Sequence, residues 1–428
     1  MILAYRILTT ILYPLLLIYL YYRKFKNKED PIRYKEKIFT SHFKVKRKNK
    51  SKLIWFHAAS IGEFKSIIPI IEQLNILNKN YEYLITTTTL SSANLAKIEL
   101  EKFNNVEHRF FPFDVNFLIE KFLIVWKPDK VFLVDSEIWP NLILNAQKHK
   151  ISISLINARL TSKSFKRWMM FPKVAKKIFE IFDMCLCSNK ETKEFLDKLE
   201  IKQVYFKGNI KLIDQINVSK IKNLNHQTLL TRRFWFAAST HKEEESFCLK
   251  THLKLKEKFK DVLTIIAPRH IDRSLEIKLL AEKLNLKVQI INKGDIISEN
   301  KELIIINYFG SLQSYFKYAK SVFIGKSMIK KLIHDGGQNP IEAAKLNCKV
   351  YHGPYVYNFE EIYKILKMNN ISKKINDYHE LSDCLLTDLE LTKKNIEQIS
   401  DPLKGLGQKT LIDTTSLLDN FINNEECI

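Results

Sequence analysis

Glycine and cysteine are both scarce in this sequence. The 428 residues include only 10 glycines, where average usage of about 7% would give roughly 30, so each remaining glycine is expected to be sterically required. Four of them, residues 325, 336, 337 and 353, fall within 29 residues. The six cysteines are scattered, and Cys185-Leu-Cys187 lacks the two-residue gap of a zinc knuckle. The pattern argues against a disulfide framework and against a structural metal site.

Acidic residues are too few to balance the bases. The chain has 47 Asp and Glu against 69 Lys and Arg, which gives a net charge of +22. Hydrophobic residues make up 46% of the chain, a fraction typical of a packed core, so wholesale disorder is excluded. At about 100–200 residues per domain, the length predicts two or three domains.

Residues 7–22 form a run of sixteen residues without a charge, preceded by Arg6. A spanning helix needs about 17–25 apolar residues, so the run is borderline, and Pro14 lies in its middle. A cleaved signal peptide is the main alternative, but no small-x-small cleavage site follows. The run ends in aromatic residues followed by bases, as at the cytoplasmic side of a membrane. We therefore expect an uncleaved membrane anchor over residues 1–22, with a signal peptide and a buried core helix as the alternatives.

Basic residues are concentrated directly after this run. Residues 23–52 carry thirteen Lys or Arg and three acids, a net charge of +10. Close to anionic lipid, each such cation contributes about 1 kcal/mol of attraction. A solvated charge run is the alternative, above all for residues 46–50, and nucleic-acid binding is less favoured because no basic-aromatic motif appears. We expect residues 23–51 to form a basic juxtamembrane segment that binds anionic inner-membrane lipids, with no nucleic acid as a partner.

Short apolar runs alternate with amphipathic helical stretches from residue 52 onward. Buried, non-alternating strands between helices predict parallel sheets covered on both faces. The polar stretch 215–232 interrupts this alternation, so we expect two α/β domains, 52–215 and 233–428. A helix at 411–423 could pack on either domain. The predicted strands are 52–57, 82–87, 106–111, 130–135, 151–156, 184–188, 203–208, 234–238, 262–267, 287–291, 303–307, 321–325 and 349–352.

Ligands of open α/β sheets bind where strands end and helices begin. At the first such junction, Ser60 and Gly62 let a ligand approach the backbone, and the following helix points its N–H groups there. Glu63 enters the first turn of that helix. A capping acid stabilised by the helix dipole is the alternative role for this residue.

The fourth and fifth predicted strands end in further candidates. Pro140 suits a first helical turn, and the residues before it can cap. Glu137 is left without a capping role, at the same edge of the sheet as Glu63. Arg159 follows the fifth strand and lies at the same rim, where an isolated Arg is more often a surface residue.

Candidate ligand-binding residues also follow strands in the second half. The pair Gly336-Gly337 opens a helix near Pro340, so free N–H groups face a bound ligand, and Glu342 could accept hydrogen bonds from sugar hydroxyls. A purely structural turn is the alternative. The loop around Gly325 is not a P-loop, because Gly-x4-Gly is missing before it. The candidates of this half are Ser239, Thr240, Pro268, Arg269, His270, Gly325, Lys326, Gly337, Gln338, Asn339 and Glu342.

Seven motifs occur in the order and spacing of a known family. They are HAASIGE, DSEIWPNLI, NARLTSKS, GNIK, ASTHKEEE, PRHIDR and GGQNPIEAAK. With the N-terminal run, the sequence resembles the 3-deoxy-D-manno-octulosonic acid (Kdo) transferases from its start to about residue 360. The resemblance implies a GT-B fold, in which two Rossmann-like domains face across a cleft. It also implies a single anchor in the inner membrane, with the catalytic domains on the cytoplasmic face.

The same resemblance implies an activity and residue roles. Kdo would pass from CMP-Kdo, a co-substrate, to a lipid A precursor, with inversion and with neither metal nor cofactor. Carried over, Glu63 is the general base and Glu137 a second acid needed for activity. Residues 268–270 and 336–342 hold CMP in the second domain. Ser60, Gly62 and Arg159 lie on the acceptor side.

The sequence departs from the family pattern at three positions. The family usually has a second Gly where Lys326 stands, His where Gln338 stands, and Gly at Glu244 or its neighbour. The first two departures concern local donor contacts rather than the fold. Two other functions stay open: a GT-B enzyme that uses a UDP-sugar, and a non-catalytic, membrane-tethered module that binds lipid or nucleotide.

Overall fold

The computed structural model describes residues 2–45, 51–214, 216–390 and 403–423, so the predicted basic cluster 46–50 lies outside the described residues. The chain forms two compact units. One comprises Met1–Asp214 with Leu406–Ile428, and the other comprises Gln215–Gly405. Each unit contains one seven-stranded sheet in which every pair of neighbouring strands is parallel.

The first sheet has the strand order β3-β2-β1-β4-β5-β6-β7. Its strands are β1 (Lys52–His57), β2 (Tyr81–Thr87), β3 (Val106–Phe110), β4 (Lys130–Val134), β5 (Ser152–Ala158), β6 (Met184–Cys187) and β7 (Val204–Phe206). Alternate residues of β1 enter two separate apolar cores, Trp55 on one face and Phe56 on the other. The sheet is therefore covered on both sides, as its uninterrupted apolar strands predict.

Nine helices precede or connect these strands among the described residues. They are α1 (Ile2–Ile11), α2 (Tyr13–Phe25), α3 (Ile61–Leu77), α4 (Leu90–Glu99), α5 (Asn116–Trp126), α6 (Pro140–Lys148), α7 (Ser162–Met169), α8 (Pro172–Phe179) and α9 (Lys190–Lys198). Ser60 caps α3 by accepting a hydrogen bond from the Glu63 backbone N–H, and Pro140 begins α6. Both helices start where the sequence predicted.

The second sheet has the order β10-β11-β9-β8-β12-β13-β14. Its strands are β8 (Phe234–Thr240), β9 (Leu263–Pro268), β10 (Val288–Ile291), β11 (Leu303–Ile306), β12 (Ser321–Ile324), β13 (Lys349–His352) and β14 (Ser372–Lys374). Its helices are α10 (His226–Thr231), α11 (Glu244–Lys258), α12 (Ser274–Glu282), α13 (Leu312–Phe316), α14 (Ile341–Lys345), α15 (Glu360–Met368) and α16 (Tyr378–Asp388). The order reverses between β8 and β12, as it does between β1 and β4 in the first sheet.

The last helix, α17 (Lys404–Asn423), packs on the first unit. The sequence assigned residues 233–428 to the second domain but left open on which domain this helix packs. In the structure, Leu418 and Ile422 are fully buried in one core of the first sheet, and the Tyr81 hydroxyl donates to the Asn423 side chain over 2.7 Å. The chain thus returns to its first unit because α17 buries its apolar face there.

The N-terminal helices α1 and α2 meet at a bend of 55°. Taken singly, no described helix is long and apolar enough to cross a membrane, although the bent pair together meets that criterion. One side of the pair contacts the first unit: the Tyr5 hydroxyl donates to Asp114 over 2.9 Å, and the Tyr13 hydroxyl donates to the Ile38 carbonyl over 2.7 Å. The large apolar side chains that stay exposed are Leu3, Ile7, Leu8, Ile11, Leu12, Leu15, Ile18, Tyr19, Tyr21, Tyr22 and Phe25.

The described part of the basic segment is folded into the first unit rather than fully solvated. Lys37 is buried, pairs with Glu29 over 2.5 Å, and donates to the Thr88 carbonyl over 2.8 Å. Burial lowers the pKa of Lys37, and the Glu29 carboxylate opposes that change. Glu36 accepts hydrogen bonds from Arg33 and from the backbone of β3. Several cations predicted to face lipid are therefore held in internal ion pairs.

Candidate active site

The loops that leave β1 and β4 carry the carboxylates of the first unit. β1 and β4 are neighbours, and the strand order reverses between them, which is where open α/β sheets bind ligands. The loop after β1 leads to Glu63, and the loop after β4 carries Asp135 and Glu137. The charges of both these residues act on Glu63. Glu63 and Glu137 thus lie in loops that leave neighbouring strands at the same end of the sheet, as their positions after strands predicted.

Glu63 caps its own helix. Its Oε1 accepts from the Ser60 hydroxyl over 2.7 Å, and its Oε2 accepts from the Ala59 backbone N–H over 2.8 Å. Burial is the main cause that raises the pKa of Glu63; Asp135 and Glu137 add to the rise, whereas the Ser60 hydroxyl and Lys211 oppose it. A general base works best when its pKa approaches the working pH. The capping contacts therefore coexist with an electrostatic setting that suits a base.

Glu137 has a different set of neighbours. Its side chain is 18% exposed, and its Oε2 accepts from the Trp139 indole N–H over 2.8 Å. The Nε2 atom of His57 lies 3.4 Å from the same oxygen. His57 ends β1 and has no exposed surface. The sequence did not single out this histidine as a site residue.

Lys211 is a second residue that the sequence did not assign to the site. Its ammonium group pairs with the Asp135 carboxylate at the end of β4. Asp135 and Asn157 both adopt left-handed backbone conformations, with φ of 65° and 53°, which Asp and Asn tolerate better than most residues. The Asn157 side chain accepts from the Ile210 backbone N–H over 3.0 Å and so places Lys211. One cation therefore pairs with Asp135 and also acts on the Glu63 carboxyl.

The residues expected on the acceptor side lie at this edge. Ser60 and Gly62 are exposed, and a Cβ added at Gly62 would meet no atom within 4 Å. The fold itself therefore does not require glycine at this position. The backbone N–H of Arg159 donates to the Asp135 carbonyl over 3.2 Å, and the Arg159 carbonyl accepts from the Ser136 hydroxyl over 2.9 Å.

In the second unit, the ends of β8 and β12 touch. Ser239 and Thr240 end β8, and Gly325 follows β12, where its N–H donates to the Ala238 carbonyl over 2.9 Å. A Cβ at Gly325 would overlap the Ser239 carbonyl oxygen. Glycines 336, 337 and 353 are likewise pressed against backbone atoms. The expectation that these four glycines are sterically required is confirmed.

His241 lies in an electropositive environment at these loops. Its Nε2 is 3.2 Å from the Gln338 amide nitrogen, and its ring centroid is 5.6 Å from that of His270. The pKa of His241 is lowered to about 4, mainly by burial and in addition by the charges of Lys326, His270 and Arg269. Because the amide nitrogen donates, the neutral histidine accepts at Nε2. Cations gathered this closely suit an anionic ligand.

The remaining candidates of the second unit lie on the adjoining loops. Pro268 ends β9, the Arg269 N–H donates to the Thr240 carbonyl over 2.9 Å, and the side chain of Arg269 is exposed. Glu342 accepts from the Gln313 amide over 2.8 Å at the start of α14, which has only five residues. Asn339 is exposed and accepts from the first N–H of α14 over 3.0 Å.

Glu244 connects the loops after β8 and β12, and the sequence missed this role. It is 1% exposed and accepts from the backbone N–H groups of His241, Lys326, Ser327 and Met328 over 2.7–3.0 Å. Burial raises the pKa of Glu244, although the four hydrogen bonds oppose the rise. The preceding residue, Glu243, has a φ of 85°. Glycine suits such a backbone, so the departure from the family pattern falls at Glu243.

Among the residues that the structure describes, no group of three or more His, Cys, Asp or Glu side chains is arranged to hold a metal ion.

Comparison with known proteins gives the family. Residues 33–213 match the family model described as 3-Deoxy-D-manno-octulosonic-acid transferase. A 3-deoxy-D-manno-octulosonic acid transferase of Rickettsia typhi is 31% identical over 344 residues, which are 80% of this chain and 72% of that protein. The chain belongs to the Kdo transferase family. A probable mitochondrial Kdo transferase of Arabidopsis thaliana is 29% identical over 99% of this chain and 98% of its own length. The predicted family is confirmed.

Solved structures give the fold. A UDP-GlcNAc 2-epimerase from Neisseria meningitidis, bound to UDP-GlcNAc, has a TM-score of 0.58 at 14% identity and covers 86% of this chain and 100% of that chain. A kitacinnamycin glycotransferase has a TM-score of 0.50 at 10% identity, over 87% and 99% of the two chains. At these identities the likeness shows the fold alone. The predicted GT-B type, with two parallel-sheet α/β domains, is confirmed for this Kdo transferase.

Proposed function

We propose that this protein moves Kdo from CMP-Kdo onto the lipid A precursor, a tetraacyldisaccharide bisphosphate, in lipopolysaccharide biosynthesis. The proposal is supported above all by the positions of Glu63 and Glu137, which lie in the loops after two neighbouring strands at the reversal of the first sheet. The motifs that place both residues are those of the Kdo transferase resemblance. The test is release of CMP and formation of a Kdo-bearing lipid by the purified protein.

Glu63 acts as the general base in this proposal. Its carboxylate removes the proton of an acceptor hydroxyl, and the oxygen forms a bond to the anomeric carbon of Kdo. The bond between that carbon and the CMP phosphate oxygen breaks, and CMP leaves with the electron pair. A single displacement inverts the configuration. Glu137 faces the positive charge that develops on the transferred sugar, by analogy with carboxylates of glycosidases.

The loops of the second unit hold the donor. The leaving phosphate gains charge in the transition state, and preorganised cations stabilise such charge. Arg269, His270 and Lys326 supply that positive field, which is the field that also lowers the pKa of His241. Glu342 accepts hydrogen bonds from the ribose hydroxyls of CMP. Every step of the transfer is assigned to side chains of this chain, without a metal.

We expect Arg269→Ala to weaken CMP binding by about 10–100-fold, because a charge-assisted hydrogen bond contributes about 1.5–3 kcal/mol. Glu342→Ala should weaken binding through the ribose. Isothermal calorimetry with CMP measures both effects. Arg233→Ala is the matched control, since Arg233 directly precedes β8, at the amino end of the strand, and pairs with Asp261 there. Unchanged CMP affinity in Arg269→Ala would remove this residue from the phosphate role.

We further propose that α1 and α2 attach the enzyme to the cytoplasmic face of the inner membrane. One side of the pair is bound to the first unit, and the other exposes eleven large apolar side chains. Helices with one apolar face lie in the membrane interface. An interfacial anchor keeps the contacts of Tyr5 and Tyr13, and cations of residues 23–51 add attraction to anionic lipid.

Deletion of residues 1–22 should leave both sheets folded and lower partitioning to vesicles that contain anionic lipid. Binding by the remaining basic residues should be lost at about 1 M salt, where the Debye length is about 3 Å. Sedimentation with vesicles measures this. Combined Leu3→Ser, Ile7→Ser and Ile11→Ser keeps Tyr5 and Tyr13 in place and should also lower binding. A truncated protein that stays on vesicles at high salt contradicts the assignment.

A further inference from the structure

A buried chain of polar side chains runs behind Glu137. Trp55 and His57 lie on the same face of β1, and Thr86 of β2 stands opposite His57 in the sheet register. The Trp55 indole N–H donates to the Thr86 hydroxyl oxygen over 2.9 Å, and the same oxygen lies 2.9 Å from His57 Nδ1. None of these three residues has exposed surface. Their protons are therefore arranged by one another and not by water.

The directions of these hydrogen bonds follow from what each group can do. An indole N–H can only donate, so the Thr86 oxygen accepts from Trp55. The hydroxyl oxygen keeps a second lone pair, so Thr86 can either donate its proton to His57 Nδ1 or accept one from it. In an imidazole that carries one proton, donation by Thr86 requires that proton to be on Nε2. The Trp55–Thr86 contact permits this arrangement, and the neighbours of Nε2 decide it.

The reverse tautomer is disfavoured by its neighbours. The Thr86 carbonyl, which lies 3.2 Å from His57 Nδ1, accepts the Ala58 N–H over 3.0 Å and has a second lone pair, so an Nδ1–H would find an acceptor there. The neighbours of Nε2 therefore decide between the tautomers. If Nδ1 carried the proton, the lone pair of Nε2 would face the Glu137 carboxylate oxygen 3.4 Å away. Two acceptors would then oppose each other in a buried place.

His57 Nε2 has no hydrogen-bond partner among the described residues and is aimed at Glu137. The ring is fixed in that direction, since it stacks on Phe111 with centroids 4.0 Å apart. Glu137 Oε2 already accepts from Trp139 over 2.8 Å. If the distance of 3.4 Å between His57 Nε2 and Glu137 Oε2 shortened to hydrogen-bond length, Oε2 would accept from two donors. The other carboxylate oxygen, Oε1, would then be left to face the substrate. Catalytic hydrogen bonds commonly tighten when substrate binds.

We propose that His57 is a positioning residue, which holds Glu137 through an Nε2–H that the Glu137 carboxylate favours and the Thr86 hydroxyl supports. The proposal rests on the proposed function, in which Glu137 faces the transferred sugar. His57 does not touch substrate; it fixes which carboxylate oxygen does. The role requires the Nε2 proton and not merely a side chain that fills the space.

Two substitutions of His57 separate the role of Nε2 from packing. Glutamine places its amide nitrogen near the position of Nε2, whereas asparagine places its amide near Nδ1. We expect His57→Asn to lower kcat by about 10–100-fold, the usual cost of removing a group that orients a functional side chain. The kcat of His57→Gln should be at least about tenfold higher than the kcat of His57→Asn. The Michaelis constant for CMP-Kdo should stay unchanged in both variants.

A double-mutant cycle shows whether His57 acts through Glu137. In a Glu137→Ala background, His57→Asn should cause no further loss of kcat, because effects that share one target are not additive. Multiplying losses would overturn the proposal. His252→Asn is the matched control: His252 is equally buried, lies 2.8 Å from the Thr264 hydroxyl and 3.6 Å from Glu302, and belongs to the second unit. It should lower the thermal midpoint and leave kcat unchanged.

A measurement that needs no turnover keeps this test separate from the proposed function. In full-length protein labelled with 15N-histidine, long-range proton–nitrogen spectra should show a proton on His57 Nε2 and none on Nδ1. His57→Gln assigns the signal, and Thr86→Val should weaken the preference for Nε2. A proton on Nδ1 would overturn the inference whatever the activity. If the wild type transferred no Kdo while Nε2 carried the proton, the proposed function would fail and the hydrogen-bond chain would stand.

Discussion

Glu63→Gln should lower kcat by about 10²–10⁴, the usual range for loss of a general base. The amide is isosteric with the carboxylate and still accepts one hydrogen bond, so the fold and CMP affinity should be preserved. If Glu63 only capped α3, the substitution would cost no more than about 0.3–1 kcal/mol of stability and leave turnover nearly intact. Steady-state kinetics with CMP release as the readout separates these results, because capping cannot explain a lost rate at constant stability.

The pH dependence of the rate provides a second, independent test of Glu63 as the general base. Burial is the main cause that raises the pKa of Glu63 above 4.5. At pH values below this raised pKa, the logarithm of the wild-type rate should fall with unit slope as the pH decreases. Stability responds in the opposite direction. A carboxyl whose folded pKa exceeds its unfolded pKa contributes stability at low pH that is lost as pH rises through the folded pKa. Loss of rate at acid pH therefore cannot come from unfolding linked to this group.

Glu72→Gln is the control for both measurements. Glu72 lies on the same helix, is exposed and pairs with Lys102 over 2.5 Å. Its substitution should change neither kcat nor the acid limb. A Glu63→Gln enzyme with turnover near that of the wild type and with the same acid limb would refute the assignment. Glu137 would then be the better candidate for the base.

Glu244→Ala should destabilise the second unit by about 3–5 kcal/mol, the cost of breaking a buried charged network. Four backbone N–H groups lose their shared acceptor, and each buried unpaired donor costs about 1–3 kcal/mol. The loops that carry Lys326 and His241 should lose their arrangement, and CMP affinity should fall as well. Thermal unfolding measures the change, and the transition that belongs to the second unit is the one that CMP shifts.

Glu243→Ala provides the matched comparison for Glu244→Ala. Glu243 is the neighbouring acid, is exposed, and has no capping side-chain hydrogen bond at the start of α11. Surface substitutions of this kind change stability by about 0.5 kcal/mol or less. If the two variants unfolded at the same midpoint, the four-donor network would contribute nothing measurable.

The fold could be predicted from the sequence to the extent that local patterns determine it. β1 begins and ends at the predicted residues because its apolar run has polar neighbours, and β13 does so too. The strand Ser372–Lys374 was missed, since three residues with two lysines carry no apolar pattern. Pro172 begins α8 shortly after α7 ends at Met169, so one amphipathic stretch of the sequence forms two helices. The position of α17 could not be predicted, because it depends on packing against the first sheet, which is distant in the sequence.

The site shows the same division. Glu63 and Glu137 could be found because each follows a strand, and parallel strands end at one edge of a sheet. The roles of His57, Lys211 and Glu244 could not be found. Each depends on a partner about 76–84 positions away along the chain, and sequence spacing alone does not show such contacts.

Transfer of Kdo to the lipid is measured by giving the purified full-length protein CMP-Kdo and the tetraacyldisaccharide bisphosphate and analysing the lipid by mass spectrometry. We expect a lipid that gains Kdo, an equal amount of released CMP, and product formation that is about 10²–10⁴-fold slower with Glu63→Gln. UDP-sugars offered in place of CMP-Kdo should give no product. A lipid that stays unmodified while no CMP is released, or a lipid modified from a UDP-sugar, would contradict the proposed function.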